Sequence, residues 1–238
     1  MRDRKKGRKR KEKMSELKTI PFFVIHLESA KERIPNLLKL KETFGENLSF
    51  WKAMTSGDFF LKEPNFPLTY EFQRQVGAEV KQLILKPGEL GCLISHLSIL
   101  TYMIEKNLDV IGILEDDMEL TSDFSALEAF YTTHKGKPWD ILVLGSNEWV
   151  DITKQDEVSV EITRFWGTHA LIITRKAAEA IIETYVDLLQ KDLAYPADWH
   201  YAKSILSKGL IVYGPKDCKS LCRQKAGFVS AINGSVRQ

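Results

Sequence analysis

The stretch Asp109-Val110-Ile111-Gly112-Ile113-Leu114-Glu115-Asp116-Asp117 runs from aliphatic residues straight into three adjacent carboxylates. The β-branched and aliphatic run predicts a strand buried on both faces, which places the chain in the α/β class. The acids fall where that strand leaves the sheet, the place at which open α/β sheets bind ligands. Side-by-side carboxylates repel one another unless positive charge sits among them. A divalent metal holding a diphosphate would supply it. A polar turn leading to a helix cap at Thr121-Ser122-Asp123 accounts for the same residues.

Other segments supply the elements around this strand. Residues 20–27 read as a first strand. Ser29 and Glu32 have the spacing of a capping box for the next helix, and Gly45 ends it. Residues 48–53 read as a second strand, so the chain opens strand–helix–strand, the start of a parallel sheet. Residues 55–70 are loop-like, and a long helix is expected over 89–106. Further strands are expected at 139–145, 169–174 and 210–213, with helices at 124–131, 176–189 and 199–207. Residues 147–158 read as a polar, mobile loop, and residues 215–238 show no clear period.

The long helix carries Gly88-Glu89-Leu90-Gly91-Cys92-Leu93-Ile94-Ser95-His96. Helical spacing puts Glu89, Cys92 and His96 on one face, with Ser95 beside it. Gly88 and Gly91 permit close approach of a backbone or a ligand. The helix N-terminus favours an anion, although a lone histidine such as His96 is more often a satisfied packing residue. Gly167-Thr168-His169-Ala170 is a glycine entering a buried strand. In Pro196-Ala197-Asp198-Trp199-His200, Asp198 is placed to cap a helix. No P-loop, dinucleotide-binding glycine fingerprint or nucleophile elbow is present in the sequence.

The formal net charge of +2 conceals an asymmetry. Residues 1–13 hold nine basic and two acidic residues, a net +7, which leaves −5 for the remainder. Such a segment cannot bury an apolar face and is expected to be a disordered tail of residues 1–18, ahead of one domain over 19–238. It suits an anionic lipid surface, suits nucleic acid less well, and also fits residues lying upstream of a true start at Met14. The three cysteines, Cys92, Cys218 and Cys222, form neither a disulfide framework nor a zinc motif, and point to a reducing, cytoplasmic setting.

Taken in order, several segments resemble glycosyltransferase family 25, the lipooligosaccharide biosynthesis enzymes. They are Phe22-Phe23-Val24-Ile25-His26-Leu27-Glu28 with Lys31-Glu32-Arg33, Phe50-Trp51-Lys52-Ala53, and Pro87-Gly88-Glu89-Leu90-Gly91-Cys92 with Ser95-His96. Ile113-Leu114-Glu115-Asp116-Asp117, Trp139-Asp140-Ile141-Leu142, Gly167-Thr168-His169-Ala170 and Pro196-Ala197-Asp198 complete the set. The chain departs from the family at His26-Leu27-Glu28, where members usually read Asn-Leu-Asp. Past residue 215 the match thins to Pro215 and Gln224, in a segment that would close over the donor.

The resemblance implies a GT-A-like α/β fold with a mostly parallel central sheet. It implies inverting transfer of a hexose, most often galactose, from a UDP-sugar to a lipid-linked oligosaccharide acceptor at the cytoplasmic membrane face. Manganese or magnesium would sit at a DXD-type motif, with Asp117 and Glu115 as ligands and His200 as a further one. Donor contacts would come from Arg33, Ala53, Glu89, Gly91, Ser95, His96, Glu115, Asp116, Gly167, Thr168 and His169. Asp198 would be the base, with Glu148 and Asp151 as alternatives. A UDP-glucose or UDP-N-acetylhexosamine donor is the variant reading. Outside the transferases stand a metal-dependent phosphoester hydrolase, which needs more dispersed Asp and His ligands, and a non-catalytic nucleic-acid binder acting through the tail.

Overall fold

The structure, a computed structural model, describes residues 16–55, 87–191 and 193–227. The basic segment and most of the 55–70 loop lie outside the described residues. Strand β1 (Phe22–His26) is followed by helix α1 (Ile34–Phe44) and β2 (Leu48–Lys52). Helix α2 (Pro87–Glu105) leads into β3 (Val110–Glu115), the short β4 (Met118–Leu120), α3 (Phe124–His134) and β5 (Ile141–Gly145). Then come β6 (Glu148–Gln155), β7 (Ser159–Trp166), β8 (Ala170–Thr174), α4 (Arg175–Leu189), α5 (Ala197–Lys208), β9 (Val212–Pro215) and β10 (Cys222–Gln224).

Eight strands form one sheet in the order β2-β1-β3-β8-β5-β9-β7-β6, and β10 pairs with β4 in a second, two-stranded sheet. The period-2 alternation of β1 sends Phe23 and Ile25 to one face and Phe22 and Val24 to the other. The first face packs against α2, α4 and α5 through Leu93, Leu97, Ile181 and Tyr201. The second packs against α1 and α3 through Leu37, Leu40, Leu127 and Phe130. The α/β class expected from the sequence holds, with both faces of the sheet covered.

The sheet is mixed rather than mostly parallel. The β1/β2, β1/β3 and β5/β9 pairs are parallel, whereas β3/β8, β5/β8, β6/β7 and β7/β9 are antiparallel. Apolar periodicity records which strands are buried but not which way they run, so β8 could enter beside β3 in either sense. The polar segment 147–158, expected to be a mobile loop, is largely strand β6, hairpinned to β7 at the sheet edge. Its side chains are mostly exposed, so alternation carries no signal, and pairing with β7 together with Trp149, which packs on the core and donates to Pro215 O, orders it.

Helix boundaries follow local chemistry in most places. Asp123 caps α3 by accepting from Ala126 N, Thr174 caps α4 by accepting from Ala177 N, and Gly209 ends α5 in the left-handed region. The Ser29–Glu32 capping box does not form. A tight turn over Lys31–Arg33 precedes α1, which starts at Ile34 with Pro35 in its first turn. Among the described residues no helix is long and apolar enough to cross a membrane.

Candidate active site

Because β8 is antiparallel to β3, the start of β8 lies beside the end of β3. Glu115 N donates to His169 O at 2.9 Å. This brings Gly167 and Thr168 to Glu115 at the carboxyl end of the central strand. A cleft of about 350 Å³ opens there, lined by Glu89, Cys92, Glu115 and Thr168 together with Trp166, Gly167, Asp198 and Trp199. Asn147 and Gln224 complete its wall.

Glu115 Oε1 accepts from Thr168 Oγ1 at 2.8 Å and lies 3.5 Å from His96 Nε2. Burial would raise its pKa, but the His96 hydrogen bond, the His96 and His169 charges and the Thr168 hydroxyl outweigh burial and hold it at about 2. Glu115 is therefore ionised at neutral pH. His96 is fully buried, and its Nδ1 meets Tyr201 OH at 3.2 Å. Cys92, one turn before His96, has its thiol pushed well up by burial and by the Glu115 charge, so it stays protonated. One donor atom each from Cys92, His96 and Glu115 lies within 4.8 Å of the others, a grouping able to hold a metal ion.

Asp198 lines the same cleft as Glu115 and feels its charge. It is the second residue of α5, whose N-cap position is occupied by Pro196, so it is not the cap expected from the sequence. Its Oδ1 accepts from Trp199 N at 2.9 Å and its Oδ2 from Gly167 N at 3.4 Å. Burial raises its pKa, the two backbone donors pull it back, and the Glu115 charge raises it again, for a net upward shift. Gly167 reaches Asp198 because its φ is +88°, and a Cβ there would stand 2.8 Å from Asn147 Nδ2.

Asp116 and Asp117 are not among the residues that line the cleft. Both are buried, and Arg33 pairs with Asp116 while lying 3.6 Å from Asp117 Oδ2. Burial would lower the Arg33 pKa, but the two aspartates outweigh it, and the guanidinium is held above its ordinary value. His26 Nδ1 lies 2.7 Å from Asp116 Oδ2, and Asn36 Nδ2 donates to the carbonyls of Asp116 and Met118. The positive charge that the acids demand thus comes in part from Arg33. His26, the departure from the family's usual asparagine, joins the same network.

Several expected site residues lie elsewhere. Ser95 Oγ donates to Gly91 O and accepts from Met54 N, clasping α2 to the segment after β2. Gly91 makes that clasp possible, since a Cβ there would meet Met54 O at 2.6 Å. Ala53 N donates to His26 O. Glu148 is exposed at the start of β6, and Asp151 pairs with Arg164 at 3.1 Å. His200, expected at the metal, faces α4 instead. Its ring meets Ile181 O at 3.1 Å, because the α5 face that carries it packs into the core. His169 is fully buried behind Thr168 and reaches the site through its charge.

The cleft includes residues that motif reading passed over. Trp166 and Trp199 flank quoted motifs, but an aromatic beside a glycine or an aspartate carries no site signal by itself. Asn147 sits in the segment read as loop.

The metal that the resemblance implies finds a donor set that fits in chemistry. Glu115 is an ionised carboxylate on the cleft wall, and His96 Nε2 adjoins it. Asp117 is not among the residues lining the cleft, so Glu115 and His96 are the residues that would hold the ion.

Comparison with known proteins gives the following. Over 80 residues the chain is 31% identical to a "probable inactive glycosyltransferase 25 family member 3" of Bos taurus, a match that takes in 32% of this chain and 13% of that protein's length. Among solved structures it is similar to a UDP-glucose pyrophosphorylase complexed with UDP-glucose, at 11% identity and TM-score 0.45 over 82% of this chain and 90% of that one. It is also similar to a nucleoside-diphosphate-sugar pyrophosphorylase from Vibrio cholerae, at 8% identity and TM-score 0.42 over 87% and 76%. Residues 19–198, well over half of the chain, match the profile of glycosyltransferase family 25 (LPS biosynthesis protein), and the chain belongs to that family.

Proposed function

We propose that this protein is an inverting, metal-dependent transferase. It moves a hexose, galactose by the family resemblance, from a UDP-sugar to a lipooligosaccharide-type acceptor. The observation that carries the reading is that Glu115 and Asp198 line one cleft, one carboxylate held low and the other shifted up. Two carboxylates whose environments push their pKa values apart are suited to different tasks.

Asp198 is the base. An acceptor hydroxyl gives its proton to the Asp198 carboxylate as its oxygen bonds to the anomeric carbon from the face opposite the nucleotide. The anomeric carbon–phosphate oxygen bond breaks, and UDP leaves with the electron pair. An aspartate with a raised pKa binds that proton more strongly than an ordinary one. The Gly167 and Trp199 amides fix its carboxylate without neutralising it. Glu115, oriented by Thr168 and His96, is the donor-side carboxylate. A manganese or magnesium ion held there supplies positive charge to the departing diphosphate. The acceptor's lipid and the basic tail would bring the protein to an anionic membrane surface from the cytoplasmic side.

The test is UDP release from a panel of UDP-galactose, UDP-glucose and UDP-N-acetylhexosamines, with manganese and with chelator, with and without sugar acceptors. Acceptor-stimulated, chelator-sensitive release from one donor is the expected result and names the donor. Neither metal-dependent UDP binding nor release from any donor would defeat the proposal.

A further inference from the structure

The wall of the cleft beyond Asp198 is aromatic and open. Trp199, the residue after Asp198, is 38% exposed. Its ring lies 5.4 Å from that of Trp166, tilted by 48°. The Tyr195 ring lies 6.5 Å from Trp199, with 20° between the planes. The three rings come from the end of β7, the start of α5 and the segment between α4 and α5, so the fold assembles them. The Arg164 guanidinium lies 5.8 Å from both indoles and is anchored by Asp151. Lys203 lies 5.5 Å over Tyr195.

An exposed indole leaves apolar surface in water, and Trp199, with the half-buried Trp166 and Tyr195 beside it, puts such a surface at the cleft. A pyranose has the complementary shape. Its axial C–H groups make one apolar face that lies flat on an indole, while its hydroxyls stay at the rim. Trp166 and Trp199 line the same cleft as Asp198. A ring seated on Trp199 therefore holds its hydroxyls beside the base.

We infer that Trp199, Trp166 and Tyr195 form the acceptor subsite, a stacking shelf for a pyranose ring, with Arg164 as the brace that sets the two indoles. This rests on the transferase reading and adds to it the class of acceptor and the residues that select it. A shelf of this kind selects for a closed ring with an unbroken C–H face.

The test uses the full-length protein and the variants Trp199→Ala and Trp199→Phe, with Trp166→Ala as a second site. Binding of UDP with manganese is measured by calorimetry. Glycan retention is measured on an array of simple pyranosides and bacterial core oligosaccharides, with methyl β-galactoside and the acyclic galactitol as competitors. The expected result is glycan retention by the wild type, displaced by the pyranoside and not by galactitol. Trp199→Ala weakens it by about tenfold or more, Trp199→Phe restores most of it, and UDP binding stays unchanged in both. With an acceptor that turns over, the loss appears in the acceptor KM. Equal retention by Trp199→Ala, or equal displacement by galactitol, overturns the shelf. So does a Trp199→Ala defect confined to binding of anionic vesicles, which would make the rings a membrane contact. A wild type that binds UDP but no pyranoside overturns the shelf alone. A wild type that binds neither overturns the transferase reading beneath it.

Discussion

Asp198 and Arg33 show how burial gives charged residues opposite roles according to their partners. Burial without a cationic partner lifts the Asp198 pKa, and a lifted carboxylate is a working base. Asp198→Asn is expected to keep UDP binding and lower kcat by about two to four decades. The wild-type rate should fall on acidification with a midpoint above the ordinary aspartate value, because the base is lost once protonated. Steady-state rates against pH check both. Unchanged melting in Asp198→Asn would separate the chemical role from a helix-start role. Arg33 is buried with a partner pair of acids. Its removal leaves those acids uncompensated, so Arg33→Ala is expected to lose about 3–5 kcal/mol in urea unfolding. A donor contact alone would leave stability unchanged.

Between elements, two junctions hold the site. The turn from β7 to β8 places Thr168 on Glu115 and Gly167 on Asp198, and it depends on a positive φ, where a Cβ would also displace the Asn147 amide. Gly167→Ala is expected to cost about 1–3 kcal/mol and to lower turnover, read by denaturant titration and by rate. The second junction is α4 on α5, where His200 is buried against Ile181. Burial pulls its pKa down from 6.5 to about 4, and the Ile181 carbonyl only partly offsets this. The folded state thus holds His200 neutral while the unfolded chain takes up a proton. Stability is complete above about pH 6.5 and falls toward pH 4, by on the order of 3 kcal/mol from this residue. Unfolding free energy measured across that range should show the slope, and His200→Gln should flatten it.

For the whole molecule, a basic segment of +7 stands against a body of −5. Removing residues 1–13 is expected to leave turnover on soluble acceptors within about twofold, while binding to anionic vesicles weakens by roughly 1 kcal/mol per basic residue that sits at the surface. Vesicle sedimentation and a soluble-acceptor assay separate the two. Loss of soluble turnover would place the segment in the catalytic unit.

Much of this architecture is legible locally. The buried β3 run, the long helix α2, the cap at Asp123 and the stop at Gly45 are encoded within a few residues, since apolar period and backbone capping act at short range. The family motifs pick out α2, the end of β3 and the turn before β8. The three acids are alike as letters, yet the fold sends Glu115 to the cleft and gives Asp116 and Asp117 to Arg33. His200 is the reverse case, a histidine in a motif that tertiary packing takes into the core. Strand direction, the order in β6 and the meeting of Trp166 with Trp199 also belong to the tertiary structure. Each depends on partners far apart in the chain, and no local pattern records which surfaces long-range pairing will bring together.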